Sequence, residues 1–442
     1  MQTNSDFYGL GIAPGILDVL AKHKFKQPTP IQARSIPIGV EGKDLVGIAQ
    51  TGTGKTLAFG IPMIQRILQT KCMGLVVLPT RELAVQVRDH LQMIGGSLGI
   101  KTVVLIGGAP MGRQVAEIRH RPNIVIGTPG RINDHLEQRT LSLSGVKILV
   151  LDEADRMLDM GFAPQLKRIL THVPTERQTM LFSATMPPEI MKMARMFMKL
   201  PVQIEIAPQG TTATNVTHEV FVVGRNQKMA LLSKLLTDYR GSVLVFTRTK
   251  FSAKKVARDV RAFGHTAAEI HSNRSLNQRQ DALAGFKNGR YRVLVATDIA
   301  ARGIDVTGIE LVLNFDLPEQ AEDYVHRIGR TGRAGAVGHA ISFATPDQRR
   351  DLQMIERLIK KTIPLAKLPD SLPKVEIQPM EDFSRGPRRG FHSRPPSGGS
   401  GRSSVSRPSR PSGHSGGYAG RKPRSGGFRG SSQRSRGYAG YR

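Results

Sequence analysis

The chain has one cysteine, Cys72, and no tryptophan among its 442 residues. A single thiol forms no internal disulfide and cannot supply a four-thiolate zinc site. No apolar run approaches the ~18 residues that a membrane-spanning helix needs. The first residues, Met1 to Asp6, are polar and offer no apolar signal-peptide core. These absences lead to the expectation of a soluble protein in a reducing compartment, placed in the cytoplasm. Acidic residues are also scarce: 35 Asp plus Glu face 64 Lys plus Arg, a formal net charge of +29. Solubility needs far less, so the excess points to a polyanionic partner. With no sustained basic amphipathic segment, nucleic acid is favoured over an anionic membrane.

What is present is enough apolar residue, 39% of the chain, for sizeable cores. Single cores stop growing at roughly 250–300 residues, so two domains with an extension are expected. Apolar runs at 46–49, 75–78, 103–106, 124–126, 148–151 and 179–182 read as strands. Their near-continuous apolar character fits a sheet buried on both faces, and the periodic segments between them make the class α/β. The pattern stops at Ala-Pro-Gln-Gly-Thr-Thr-Ala-Thr-Asn, 207–215, and restarts with runs at 243–246, 267–270, 293–296, 311–315 and 340–343. The expected organisation is a first domain over 1–207, a linker over 208–215, a second domain over 216–370 and a tail over 371–442.

The tail is of a different composition. From Glu381 onward it holds 13 Arg and 1 Lys against 2 acids, with 14 Gly and 14 Ser, so it carries +12 of the charge. It cannot build an apolar core and is expected to be disordered. Its spaced rings, Phe383, Phe391, Tyr418, Phe428, Tyr438 and Tyr441, suit loose RNA binding by phosphate attraction and base stacking.

Two motifs carry chemistry. Ala49-Gln50-Thr51-Gly52-Thr53-Gly54-Lys55-Thr56 follows the first run and precedes an apolar helical pattern. Glycines there turn backbone N–H groups onto phosphate, Lys55 reaches the β and γ phosphates, and Thr56 holds Mg²⁺. Ala49 stands where the usual phosphate-loop pattern has glycine. Asp152-Glu153-Ala154-Asp155 follows the run 148–151, at the edge where open α/β sheets bind ligands. Asp152 is placed to bind Mg²⁺ through water and Glu153 to take a proton from an attacking water.

With these residues the chain resembles the DEAD-box ATP-dependent RNA helicases over residues 7–345. Phe25, Pro28, Thr29 and Gln32 match the adenine-recognising Q motif, and Phe7 sits where the family's upstream aromatic stacks on the base. Pro79-Thr80-Arg81-Glu82-Leu83-Ala84 matches motif Ia. Gly107-Gly108 and Thr128-Pro129-Gly130-Arg131 match the glycine doublet and motif Ib. Ser183-Ala184-Thr185 matches motif III, and Val245-Phe246-Thr247-Arg248 motif IV. Motif V runs from Ala296-Thr297-Asp298 to Arg302-Gly303-Ile304-Asp305, and His326 to Arg333 matches motif VI.

The resemblance implies two tandem RecA-like domains with ATP in the cleft between them and RNA across both. It implies Arg330 and Arg333 as arginine fingers, and His326 and Arg327 as links to the Asp-Glu-Ala-Asp edge. Asp305 is the implied ribose contact and Asp298 a carboxylate tied to the interface. Ser183 and Thr185 couple hydrolysis to unwinding. The implied RNA-backbone contacts are Pro79, Thr80, Arg81, Gly107, Gly108, Thr128, Pro129, Gly130, Arg131, Arg248, Thr297 and Gly303. Backbone contacts carry little sequence information, so the implied partner is single-stranded RNA or a short duplex of any sequence.

In motif IVa, Ser272 and Leu276 replace Gly and Gln between His271 and Arg279. That variant, with the short N-terminus and basic tail, resembles the bacterial RhlE-type subgroup. Ribosome assembly, RNA decay and cold adaptation are the implied settings. The alternatives are a DNA helicase or translocase on the same core, and a non-enzymatic RNA-binding or annealing protein. The literal Asp-Glu-Ala-Asp with a Q motif argues against the first, and the complete set Lys55, Glu153 and Arg330 against the second.

Overall fold

The computed structural model describes residues 6–50, 52–206, 216–301, 306, 308–332 and 337–370. The expected linker and tail lie outside the described residues, as do Thr51, Gly303, Asp305 and Arg333.

The chain opens with helices α1 (Pro14–Lys22) and α2 (Pro30–Val40). Pro30 pre-sets the first helical turn of α2, and Gln32 caps it by accepting the Thr29 N–H. There follow β1 (Leu45–Ile48), α3 (Lys55–Thr70), β2 (Met73–Val77), α4 (Arg81–Gly95), β3 (Thr102–Leu105) and α5 (Met111–Arg119). The first domain continues through β4 (Ile124–Gly127), α6 (Pro129–Glu137), β5 (Val146–Leu151), α7 (Ala154–Asp159) and α8 (Ala163–His172). It closes with β6 (Gln178–Ser183), α9 (Pro188–Phe197) and β7 (Val202–Glu205). The seven strands pair in parallel in the order β3-β4-β2-β5-β6-β1-β7. Parallel neighbours need crossovers, and the helices supply them on both faces.

Both faces are therefore core. On β2, Val76 belongs to one apolar layer and Leu75 and Val77 to the other; on β5, Val150 opposes Leu149 and Leu151 in the same way. This period-two division of continuously apolar strands is what a doubly covered sheet requires.

The second domain repeats the plan. Its elements are β8 (Val216–Val222), α10 (Lys228–Asp238), β9 (Val243–Thr247), α11 (Lys250–Ala262), β10 (Ala267–Ile270) and α12 (Leu276–Lys287). Then come β11 (Val293–Thr297), α13 (Asp298–Ala301), β12 (Leu311–Asn314), α14 (Ala321–Ile328), β13 (Gly338–Ala344) and α15 (Arg349–Ile359). The sheet order is β10-β11-β9-β12-β13-β8, again parallel.

Each expected run is a strand, but β7 and β8 were not expected. β7 is an edge strand with Ile204 alone buried, and β8 is interrupted by Thr217, His218 and Glu219, so neither shows a continuous apolar run. Among the described residues no helix is long and apolar enough to cross a membrane.

Candidate active site and nucleic-acid interface

The phosphate loop connects β1 to α3. Its Lys55 is the first residue of α3, 6% exposed, and its ammonium donates to the Ala49 carbonyl at 2.9 Å. Thr53 Oγ1 closes the turn on the Gln50 carbonyl at 2.7 Å. Gly54 is left-handed at φ +91°, and a Cβ there would collide with Gln32 Nε2. Glycine is needed at that position on both counts. Gln32 donates to the Gly54 carbonyl at 3.0 Å and accepts from the Thr29 N–H at 3.0 Å. The Q-motif amide thus ties the start of α2 to the phosphate loop.

Asp152 and Glu153 stand at the end of β5, each 3% exposed. Burial, with Glu153 and Asp155 adding to it against Lys55, pushes the Asp152 carboxyl up to about 6. Glu153 caps α7 in the left-handed region at φ 53°. A side-chain-bearing residue held there stores strain, a common mark of a functional position. Glu153 Oε2 accepts from Arg156 at 2.8 Å, while Glu153 Oε1 is buried with no hydrogen-bond partner. Asp155 faces the other way: its Oδ2 accepts from Ala184 N–H, Thr185 N–H and Thr185 Oγ1 at 3.1, 2.8 and 2.9 Å. Burial raises the Asp155 carboxyl, but the charges of His326, Lys55 and Arg156 and the Thr185 bond outweigh it and hold it below the usual range. Ser183 Oγ accepts from the Asp155 N–H at 3.2 Å. Motif III is thereby bound directly to the acidic motif.

A cavity of about 320 Å³ opens over these groups, lined by Phe25, Gln32, Gly54, Lys55, Thr56, Asp152, Glu153 and Arg330, among others. The residues fit the expected nucleotide and Mg²⁺. The orphaned Glu153 oxygen and the uplifted Asp152 carboxyl are carboxylates left short of compensation, and an ammonium and a helix N-terminus face them across the cavity.

The second domain reaches this cavity through α14 and Arg330, two residues past its end. Arg330 is 3% exposed and lines the cavity. His326 Nδ1 lies 3.1 Å from Arg156 Nη2, so Arg156 bridges Glu153 and the second domain. Arg327 does not make the expected link. It is 2% exposed and spends its guanidinium on Asp298, Asn314 and the Asp316 carbonyl, all in its own domain. Phe7 also departs from expectation. It is 3% exposed in the first domain's core and absent from the cavity lining, because burying the ring there leaves no face for a base; Phe25 lines the cavity instead.

The expected RNA contacts of the first domain come together. Thr80 caps α4 through the Leu83 N–H at 3.3 Å, directly after Pro79. The Arg81 guanidinium lies across the glycine doublet: a Cβ on Gly108 (φ +82°) would stand 2.5 Å from Arg81 Nη1, and one on Gly107 3.1 Å from Nη2. Arg131 donates to the Ala109 carbonyl at 3.0 Å, on the turn that Thr128, Pro129 and Gly130 lead into. Burial, then Arg279, then Arg131 lower the Arg81 pKa against the opposing Glu82. Guanidinium groups crowded against one another form a surface that an anion relieves. In the second domain Arg248 follows β9 and is exposed, while Thr297 ends β11 in register with Thr247.

Several functional contacts lacked a sequence signal. Arg279 of α12, marked in the sequence only as the arginine of motif IVa, pairs with Glu82 of motif Ia at 2.9 Å, both buried, across the two domains. Beside it, Leu276 packs half-buried on the first domain's core, its Cβ 4.0 Å from where Gly108 would carry one. Gln114 donates to the Ile106 carbonyl at 3.0 Å, and fully buried His135 holds the Gln114 amide oxygen at 3.1 Å. That network shapes the glycine-doublet turn. Arg156 was within reach, three residues after Glu153 on one helix face; a lone buried His135 was not.

The comparisons agree with this geometry. The DEAD/DEAH box helicase family matches residues 29–193, and the helicase conserved C-terminal domain matches residues 227–335. A DEAD-box ATP-dependent RNA helicase CshA from Geobacillus kaustophilus is 42% identical over 82% of this chain and 78% of its own. An ATP-dependent RNA helicase DbpA from Bacillus subtilis is 44% identical over 80% of this chain and 75% of its own. Among solved structures, Saccharomyces cerevisiae Dbp5 bound to RNA and ADP BeF3 matches with a TM-score of 0.75 at 28% identity, covering 83% of this chain and 96% of that one. With two matched domains, such identity over most of its length and a two-domain cleft carrying the motif residues, this chain belongs to the DEAD-box ATP-dependent RNA helicase family.

Proposed function

We propose that ATP turnover in this chain is gated by a wire of three side chains, Glu153–Arg156–His326, that joins the hydrolytic carboxylate to the second domain. As a member of its family the chain is an RNA-dependent ATPase that unwinds or remodels RNA. Bound Mg²⁺ and ATP supply the electrophilic phosphoryl group and the cation that shields it. Thr56 and Asp152 would hold the cation, and Lys55 and the Gly52–Gly54 turn would hold the phosphates. Glu153 accepts the proton of the attacking water at its unpartnered Oε1. Arg330 approaches from the second domain and neutralises charge that develops in the transition state. Half of the site lies on each domain, so hydrolysis requires closure, and closure requires RNA across both domains.

The observation that carries this reading is the position of Arg156, 2.8 Å from Glu153 and 3.1 Å from His326. Two measurements on Glu153→Gln, ATP turnover and nucleotide-dependent RNA binding, and one on the unmodified protein, stimulation by RNA against DNA, test it. Turnover should fall roughly 10²–10⁴-fold while RNA is still held with a slowly hydrolysed nucleotide. Equal loss of both activities sinks the general-base role. Stimulation of the unmodified protein by DNA as strongly as by RNA would favour the DNA reading.

The RhlE-type assignment rests on Ser272 and Leu276 in motif IVa with the short N-terminus and the basic tail, and the relatives reported above carry other subgroup names. Cytoplasmic placement and partners in ribosome assembly or RNA decay belong to the same proposal. The Arg-rich tail adds RNA capture through its charge, which truncation to residues 1–380 tests by RNA titration at several salt concentrations.

A further inference from the structure

Helix α11 starts two residues beyond Arg248, where strand β9 ends at the second domain's ligand-facing edge. Its inward face is apolar, with Ala253, Val256, Ala257 and Val260 buried against the sheet. Its outward face is formed by Phe251, Lys254, Lys255 and Arg258, at spacings of three, four and seven residues, all exposed. Phe251 is 72% exposed, an aromatic ring left in water on a face otherwise cationic. Lys250 Nζ lies 5.3 Å from the centre of that ring and is itself fixed by Asn273 Oδ1 at 3.1 Å. Arg258 pairs with Asp259, and Arg261 further along pairs with Glu269. Among the described residues no ion pair neutralises Lys254 or Lys255.

We infer that the outward face of α11 is an accessory RNA site, on which RNA running past Arg248 lays a base on Phe251 and phosphates on Lys254 and Lys255. The inference rests on the RNA-binding function above and extends it beyond the cleft. A solvated helix face accounts for the lysines but not for the ring. Single-stranded RNA presents both what the ring takes, an aromatic face, and what the lysines take, a phosphate charge. The dimensions agree: along the axis Lys254 and Lys255 lie about 5 Å from Phe251, and Arg258 about 10 Å. Lys250 Nζ lies over one face of the Phe251 ring, so a base would stack on the opposite face.

The test uses the full chain and two single-stranded RNAs, one that spans only the cleft and one that continues past it. Phe251→Ala should weaken binding of the long RNA by roughly fivefold or more, with little dependence on salt, and leave the short RNA within about twofold. Phe251→Tyr should restore the long-RNA affinity and Phe251→Leu should not, because leucine keeps the apolar surface but lacks a stacking face. The double variant Lys254→Ala, Lys255→Ala should lower the slope of log affinity against log salt by about 1.4 for the long RNA alone. ATP turnover at saturating short RNA should stay near that of the unmodified protein in every variant, so a failure of the helicase function itself would show separately. Unchanged long-RNA affinity and salt slope overturn the inference. Equal losses on both RNAs overturn it too, since the face would then belong to the cleft.

Discussion

The two domains share a fold but bring unequal halves to the site. The first is pre-organised: Gln32 is tied to Gly54 of the phosphate loop and Thr185 to Asp155, while Lys55 and Asp152 are held within their own turns by Ala49 and the Glu153 N–H. The second offers two reaching groups, His326 on α14 and Arg330 just beyond it, and Arg327 fastens that helix to Asp298 and Asn314. Nucleotide affinity therefore belongs mainly to one domain, and rate belongs to the meeting of both. Ser272 and Leu276, where the second domain departs from the usual motif, do not line the cavity that holds Lys55, Asp152 and Glu153.

The largest effect expected is the contrast between Lys55→Ala and Arg330→Ala. The lysine variant should lose detectable turnover and bind ATP poorly, because the phosphates lose their main counter-charge. The arginine variant should lose roughly 10³–10⁵ in turnover yet retain ATP affinity within a few-fold. Equilibrium nucleotide binding and single-turnover hydrolysis separate the two; parallel losses of affinity would break the division of labour.

Arg279→Met comes next. It leaves Glu82 without its partner, and a buried charge so stranded costs about 3–5 kcal/mol unless it reaches water. Opening the cleft gives Glu82 that water, so the variant should favour the open form and need about tenfold or more RNA for half-maximal ATPase, with the rate at saturating RNA less affected. Adding Glu82→Leu should recover part of the loss. A double variant that is no better than Arg279→Met alone would show that the ion pair does not set closure.

The smallest effect sharpens the role of Gln32 within the first domain. Gln32→Ala removes the bond to the Thr29 N–H at the start of α2 and the tie to Gly54, worth about 1 kcal/mol of stability. Melting temperature should drop by a few degrees, and the preference for ATP over GTP should narrow. If the melting shift appears while base preference is unchanged, Gln32 acts as a loop tie alone.

Much of this protein was legible in the chain itself. Continuous apolar runs marked the strands buried on both faces, and glycine with Lys55 and Thr56 after β1 marked the phosphate loop, because backbone geometry and phosphate charge constrain neighbours in sequence. The acidic motif after β5 was found for the same reason. What depended on contacts distant in sequence was not legible. Nothing local says that Phe7 is core rather than base platform, that Arg327 turns back into its own domain, or that Gln114 and His135 shape a turn around Gly107 and Gly108.

The sequence by itself determined two α/β domains, a phosphate loop on the first and an arginine-bearing motif on the second, since each is written in residues a few positions apart. Only the tertiary structure decided which side chains cross between the domains. Arg156 reaches His326 over 170 positions and Glu82 reaches Arg279 over 197. Such pairs exist because packing brings helix ends from two sheets to one cleft, and a guanidinium or carboxylate buried there must find its partner wherever the fold has placed it.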